Sequence, residues 1–224
     1  MKPMTDEHLA VLRRHMVEIV TLHFDLAEDE IGTNAPSEAL TRALMDVPRH
    51  LFVPGALAAL AYQDTPLPIG FDKTVSQPFI GALMIDLLEL APGARVLEVG
   101  TGLGYQAAVM ATMGAEVFSV EIVEEFAEAA RNRFTAVGKQ VEVRVGDGSR
   151  GWPDHAPYDA ILVTAAAAAP PSALLDQLKP GGRLVLPIGA SDEQQLSVVT
   201  RRPDGDTAIR RIMPVRFTRL EVGV

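Results

Sequence analysis

Apolar positions along the chain keep two periods. Between Asp6 and Phe24 they form one helical stripe, with Leu9, Leu12, Met16, Ile19 and Val20 on it. Asp25–Pro36 is acidic and contains Gly32 and Asn34-Ala35-Pro36, so it reads as a surface loop. Ser37 is placed to cap a second helix, Glu38–Met45, which turns Leu40, Leu44 and Met45 inward. Pro48 and Pro54 bracket Arg49-His50-Leu51-Phe52-Val53, and Pro66 and Pro68 make Tyr62–Gly70 an extended loop. After Phe71–Pro78 a strongly apolar stretch, Phe79–Leu90, reads as a helix.

From Arg95 the pattern alternates. Strand-like runs are Arg95–Val99, Glu116–Val120, Val141–Val145, Ala160–Val163 and Arg183–Pro187. Helix-like runs between them are Tyr105–Met113, Val123–Val137 and Pro171–Leu178. Such alternation implies a mainly parallel, doubly wound α/β sheet covered on both faces. Beyond Gly189, Gln195–Arg201 and Thr207–Met213 alternate around the turn Pro203-Asp204-Gly205-Asp206, so the sheet should end in an antiparallel hairpin. That ending fits a Rossmann-like class I methyltransferase better than a dehydrogenase, which continues with crossover units. The expectation is one domain, residues 1–224: N-terminal helices and an active-site segment (1–90), a cofactor-binding core (91–190) and the hairpin (191–224).

The core is organised around Glu98–Gln106, reading EVGTGLGYQ, where a strand meets a helix through Gly100, Gly102 and Gly104. Glycines at this density let a ligand reach the backbone, and the amides opening the helix face it. The spacing is GxGxG rather than the dinucleotide GxGxxG, and no Lys-Ser or Lys-Thr pair follows, which excludes a P-loop. An acid ahead of the turn, Glu98, suits a ligand with an ammonium and a sulfonium: S-adenosylmethionine. Glu121 closes the next strand and is placed to accept from both ribose hydroxyls. Gly146-Asp147-Gly148 follows the third strand; Asp147 either bonds the adenine amino group beside Gly148 or merely redirects the chain. In Thr74-Val75-Ser76-Gln77-Pro78 the two hydroxyls either cap the following helix or present themselves to a carboxylate.

Composition narrows the partners. A net charge of −9 and a pI near 5.0 argue against nucleic acid. With no cysteine, disulfides, thiolate catalysis and cysteine-ligated metals are excluded, consistent with a cytoplasmic protein. MKPMTDEHLA lacks the apolar core of a signal peptide, and no apolar run is long enough to span a membrane. His8, His15, His23, His50 and His155 lack metal-ligand spacing, so no metal is expected, and Ser76 lacks the GxSxG elbow of a hydrolase.

Taken together, VPRHLFVP (Val47–Pro54), AYQDTPLPIG (Ala61–Gly70), TVSQP (Thr74–Pro78), EVGTGLGYQAAV (Glu98–Val109), VGDGSRGWP (Val145–Pro153), APYDAILVTAA (Ala156–Ala166) and LKPGGRLVLPIG (Leu178–Gly189) resemble the protein-L-isoaspartate O-methyltransferases. The resemblance runs from Val47 to about Leu220. It implies methylation of isoaspartyl carboxylates in damaged peptides and proteins, followed by collapse to a succinimide. Ser76, with Thr74 beside it, then takes the active-site role. Cofactor contacts fall on Glu98, Gly100, Thr101, Gly102, Gly104, Gln106, Glu121, Ile122, Asp147 and Gly148. The chain departs from the family at Asp72-Lys73, where bacterial members commonly have Gly-Gln, in the longer acidic Asp25–Pro36, and at Thr218-Arg219, where Val-Pro is usual. Lys73 is expected to face solvent. The departures keep open a paralogue acting on another carboxylate, and a binding module without activity is the remaining alternative.

Overall fold

In the computed structural model, residues 4–190 and 193–223 are described. Three helices lead: α1 (Asp6–Leu26), α2 (Glu28–Ile31) and α3 (Glu38–Asp46). A hairpin of β1 (Leu67–Gly70) and β2 (Lys73–Val75) precedes α4 (Pro78–Asp86). The core then runs β3 (Arg95–Val99), α5 (Tyr105–Thr112), β4 (Glu116–Glu121), α6 (Glu124–Ala136), β5 (Val141–Val145), β6 (Tyr158–Val163), α7 (Ser172–Asp176), β7 (Leu178–Ala190), β8 (Glu193–Arg201) and β9 (Thr207–Val215). Short 3-10 turns occupy Arg49–Phe52, Gly55–Leu60, Gly148–Arg150 and Pro153–His155.

The large sheet has the order β5-β4-β3-β6-β7-β8-β9, parallel through β7 and antiparallel from β7 to β9. The class I methyltransferase architecture expected from the alternation is present. Strand alternation divides its core. Val96 on β3 and Val117 on β4 belong to the apolar cluster shared with α1, α3, α4 and α5. Leu97, Val99, Phe118 and Val120 belong to the opposite cluster, with Ile161, Leu174 and Leu184. Glu98 and Ser119, two residues on from Val96 and Val117 respectively, are direct cross-strand neighbours. Their side chains therefore meet between strands, on the face that α5 covers. Connection order reverses around β3, with β4 on one side and β6 on the other, which opens a crevice at the strands' carboxyl ends.

Two sequence expectations need correction. Asp25–Pro36 is not simply a loop, because α1 continues to Leu26 and α2 adds a turn through Ile31. Glu28, Asp29 and Glu30 lie in the first turn of α2, where the helix dipole favours acids, and Gly32 closes it at φ 84°. Ile31 is buried, which anchors the segment. Tyr62–Gly70 likewise ends in a strand, since β1 pairs antiparallel with β2. Phe71 and Asp72 turn that hairpin in the left-handed region, at φ 50° and 55°. Aspartate, at position 72, is among the few side chains that tolerate this conformation.

Two apolar runs also differ in length from their expectations. α4 stops at Asp86 rather than Leu90, and Glu89 takes a positive φ of 51°. β7 begins at Leu178, so Lys179–Gly182 joins the strand rather than preceding it.

Candidate active site

The crevice above β3, β4 and β6 holds a cavity of about 780 Å³. That volume falls in the range of small-molecule sites. Its floor is the loop Val99–Gln106, its sides are Val120–Ile122 and the β2–α4 link, and Pro214–Glu221 crosses its mouth. Thr74, Ser76, Gly100, Thr101, Gly102, Gly104, Gln106, Glu121, Ile122 and Gly148 all line it. The cavity thus joins the expected acceptor segment to the expected cofactor loop.

The three loop glycines have different neighbours. All adopt positive φ, at 94°, 53° and 95°. A Cβ on Gly100 would collide with the Thr164 hydroxyl, which donates to the carbonyls of Gly100 at 2.8 Å and Val99 at 3.1 Å. On Gly104 it would stand 2.6 Å from the Phe134 ring. On Gly102 it would meet only Ile69 Cδ1, at 3.5 Å, and otherwise fill the cavity. Gly100 and Gly104 serve packing, and Gly102 keeps the ligand space open.

Glu121 ends β4 beside this loop. Its carboxylate accepts from the Gly102 amide at 2.7 Å and the Val123 amide at 3.0 Å, one bond to each oxygen. A carboxylate has about four acceptor positions. Two remain for a pair of vicinal hydroxyls, and Glu121 lines the cavity where they would enter.

Two acids expected at the cofactor do not line the cavity. Glu98 is buried beneath the loop, where its Oε2 accepts from Ser119 Oγ at 2.6 Å. Ser119 is also 2.6 Å from Thr101 Oγ1, so a hydroxyl chain links Glu98 to the loop. Burial pushes the Glu98 carboxyl up to about 8, and the nearby Glu121 charge acts in the same direction. Asp147 accepts from the amide and hydroxyl of Ser149, and its other oxygen accepts from the Gly223 amide at 3.0 Å. Burial opposes the net shift, but these hydrogen bonds and Arg150 hold its carboxyl below the usual range. Gly148 has no room for a Cβ, which would strike Val99.

Ser76 follows β2, with its carbonyl accepting from Arg49 Nη2 at 2.7 Å. Gln77 donates to Asp64 at 2.7 Å, and the Phe79 amide donates to the same carboxylate at 2.8 Å. The acceptor segment is thereby fixed from both ends, and α4 begins with Pro78. Lys73 does not face open solvent; it pairs with Glu221 of the crossing segment. Phe217 exchanges two hydrogen bonds with the buried Gln194 side chain, and Ala166 bonds Thr218 and Leu220. Arg49, Tyr105 and the crossing segment line the cavity and were not anticipated as site residues. The one signal for Arg49 was its place in VPRHLFVP, between two prolines.

The family model for protein-L-isoaspartate (D-aspartate) O-methyltransferase matches residues 25–223. The chain belongs to that family. A protein-L-isoaspartate O-methyltransferase 1 of Polaromonas sp. (strain JS666) is 45% identical over 219 residues, covering 97% of this chain and 93% of its own. The Gloeobacter violaceus protein-L-isoaspartate O-methyltransferase is 51% identical over 186 residues, covering 82% and 90%. Among solved structures, a protein-L-isoaspartate O-methyltransferase superposes with a TM-score of 0.79 at 30% identity, over 92% of this chain and 65% of that one. A Plasmodium falciparum structure in complex with S-adenosyl-L-homocysteine superposes at 0.77 with 22% identity, over 93% and 98%, and speaks to the fold. Within the isoaspartate methyltransferase family, the two linked regions of this cavity have a ready division of labour.

Proposed function

We propose that the protein methylates the free carboxylate of L-isoaspartyl residues in damaged proteins and peptides, using S-adenosylmethionine, and so starts repair through a succinimide. Family membership supports the activity. The observation that carries the assignment in this chain is one cavity joining Thr74 and Ser76 to the Gly100–Gly104 loop.

Bound S-adenosylmethionine supplies an electrophilic methyl, whose bond to sulfur breaks as a carboxylate oxygen bonds its carbon. The chain's part is to hold the partners. Glu121 takes the ribose hydroxyls with its two remaining acceptor positions. Gly102 admits the cofactor to the loop, with Gly100, Thr101, Gly104, Gln106 and Ile122 around it. Gly148 lines the cavity on the adenine side, and Asp147, whose oxygens already accept from Ser149 and Gly223, shapes that turn from behind it. Glu98 supports the loop from below through Ser119 and Thr101 rather than by direct contact.

No general base is needed, because the acceptor is ionised at neutral pH. Ser76, beside Thr74, orients that carboxylate. Alignment of nucleophile and methyl accounts for about 7–11 kcal/mol of barrier lowering in well-oriented reactions. We assign residues 1–224 to a single methyltransferase domain with its substrate side built by 1–90 and 191–224. The acidic balance fits peptide partners rather than nucleic acid, with the cytoplasm as the place of action. Among the described residues no helix is long and apolar enough to cross a membrane.

Methyl transfer to a matched pair of aspartyl and isoaspartyl peptides tests the assignment. The isoaspartyl peptide should react far faster, and Ser76→Ala should lower turnover more than cofactor affinity. Equal rates on the two peptides, or none on either, would reject the acceptor and favour a paralogue acting on another carboxylate.

A further inference from the structure

Arg49 is the largest of the fully buried side chains, at 1% exposure. Its Nε donates to the Ala61 carbonyl at 2.8 Å and its Nη2 to the Ser76 carbonyl at 2.7 Å. Its guanidinium carbon lies 4.8 Å from the centre of the Tyr105 ring. No carboxylate among the described residues comes within ion-pairing distance of it; Asp64 acts on it only through space. A guanidinium has five N–H donors, and two are engaged with side-chain geometry this well defined. A buried charge without a counter-charge is costly, and such groups are normally paired or bound to a ligand.

Tyr105 makes an independent observation. Its hydroxyl is buried and makes no hydrogen bond of good geometry among the described residues, although the Arg49 guanidinium lies close enough to act on it. Burial pushes its pKa up to about 12, so it remains a donor at neutral pH. Both residues line the cavity, Arg49 from the Ser76 side and Tyr105 from the first turn of α5. A cation with no carboxylate in ion-pairing distance and a hydroxyl with no well-formed hydrogen bond thus share one stretch of wall.

We propose that Arg49 and Tyr105 together form the cavity's carboxylate-recognition site. The inference rests on the reaction proposed above, which brings two carboxylates into the cavity: that of the cofactor's methionyl end and that of the acceptor. The charge balance of the reaction limits what the pair does. Methyl transfer turns a carboxylate and a sulfonium into a neutral ester and a neutral thioether, so negative charge on the acceptor falls on the way to the transition state. A cation facing that carboxylate strengthens the bound ground state more than the transition state. Arg49 and Tyr105 therefore act in binding, and their signature is in KM or Kd rather than in kcat.

Tyr105→Phe is the cleanest probe, since it removes only the hydroxyl and keeps the ring against Arg49. Its unfolding midpoint should match the wild type. Arg49→Met and Arg49→Lys complete the set, with lysine keeping the charge. Calorimetry would compare S-adenosylhomocysteine with its analogue lacking the carboxylate, and steady-state kinetics would give KM and kcat for an isoaspartyl peptide. Loss of a hydrogen bond to a charged group corresponds to about tenfold or more in affinity.

If Tyr105→Phe and Arg49→Met weaken S-adenosylhomocysteine by that factor but leave the analogue unchanged, the cofactor's carboxylate is the ligand. If instead the peptide KM rises about tenfold with cofactor affinity and kcat retained, it is the acceptor's. Arg49→Lys should recover part of either loss. If neither affinity nor KM moves in Tyr105→Phe and Arg49→Lys, or only kcat falls, the inference is overturned and the pair is structural. Should the wild type methylate neither aspartyl nor isoaspartyl peptide, the cofactor arm still decides the carboxylate site while the acceptor assignment fails separately.

Discussion

Glu98→Gln isolates one buried carboxyl whose ionisation the fold opposes. In the native protein desolvation, with help from Glu121, raises this group from 4.5 to about 8. The unfolded chain releases the proton near the ordinary carboxylate value, so between those two pH values the native state binds one proton more. Stability therefore falls as pH rises through this window. The contribution is fully present below about pH 4.5 and is lost once pH exceeds about 8. Each unit corresponds to about 1.4 kcal/mol, so two units inside the window cost about 3 kcal/mol. Glutamine is isosteric, neutral at every pH, and keeps a hydrogen bond to Ser119. Groups remote from Glu98 are common to both proteins, so their contributions cancel in the difference. Urea unfolding of wild type and Glu98→Gln, each at pH 5.5 and 7.5, gives that difference directly. The variant should gain on the wild type by about 3 kcal/mol over the interval. A pH-independent difference would mean that Glu98 ionises freely, and the argument from burial would fail.

Gly102→Val should abolish S-adenosylhomocysteine binding in calorimetry while costing about 1–2 kcal/mol of stability for its left-handed backbone; unchanged affinity would remove the ligand from this loop. Gly100→Ala should lose stability in urea unfolding by more than that, because the Thr164 hydroxyl must move. Glu121→Ala should weaken cofactor binding by about 1.5–3 kcal/mol, and a loss below about threefold would place the ribose elsewhere. Lys73→Met should change thermal stability by less than about 1 kcal/mol, as a rim ion pair does; a larger loss would show that the Glu221 contact holds the crossing segment closed.

Where local pattern and tertiary role coincide, the sequence was readable. The five parallel strands and the C-terminal hairpin follow from apolar runs and a Pro-Asp-Gly-Asp turn, since burial on both faces or on one face dictates those patterns. The misread segments were those where a tertiary anchor overrode composition. Acids and Asn-Ala-Pro make 25–36 look like a loop, yet Ile31 packs into the core and carries a helical turn with it. Phe71-Asp72 carries no glycine, so the β1–β2 hairpin had no turn signal. Its aromatic instead packs edge-on against Phe126, 5.4 Å away, at the cavity rim.

The site shows the same limit in sharper form. Gly100, Gly102 and Gly104 are equivalent in the motif, evenly spaced and all with positive φ. What separates them is the direction in which a missing Cβ would have pointed: at Thr164, into the cavity, and at Phe134. That direction depends on neighbours 30 to 64 residues away, which no local spacing encodes. Glu98 obeys the same rule in reverse. Its position before the glycines suggested a ligand contact, but strand alternation sets it opposite Ser119 on the face that α5 covers. Glu121, at the end of its strand, escapes that cover and reaches the cavity. Two acids on neighbouring strands thus end in different roles: burial favours the protonated form of one beneath the loop, and the other accepts backbone amides with acceptor positions to spare. A sequence motif names the acids; the end of the strand decides which one meets the ligand.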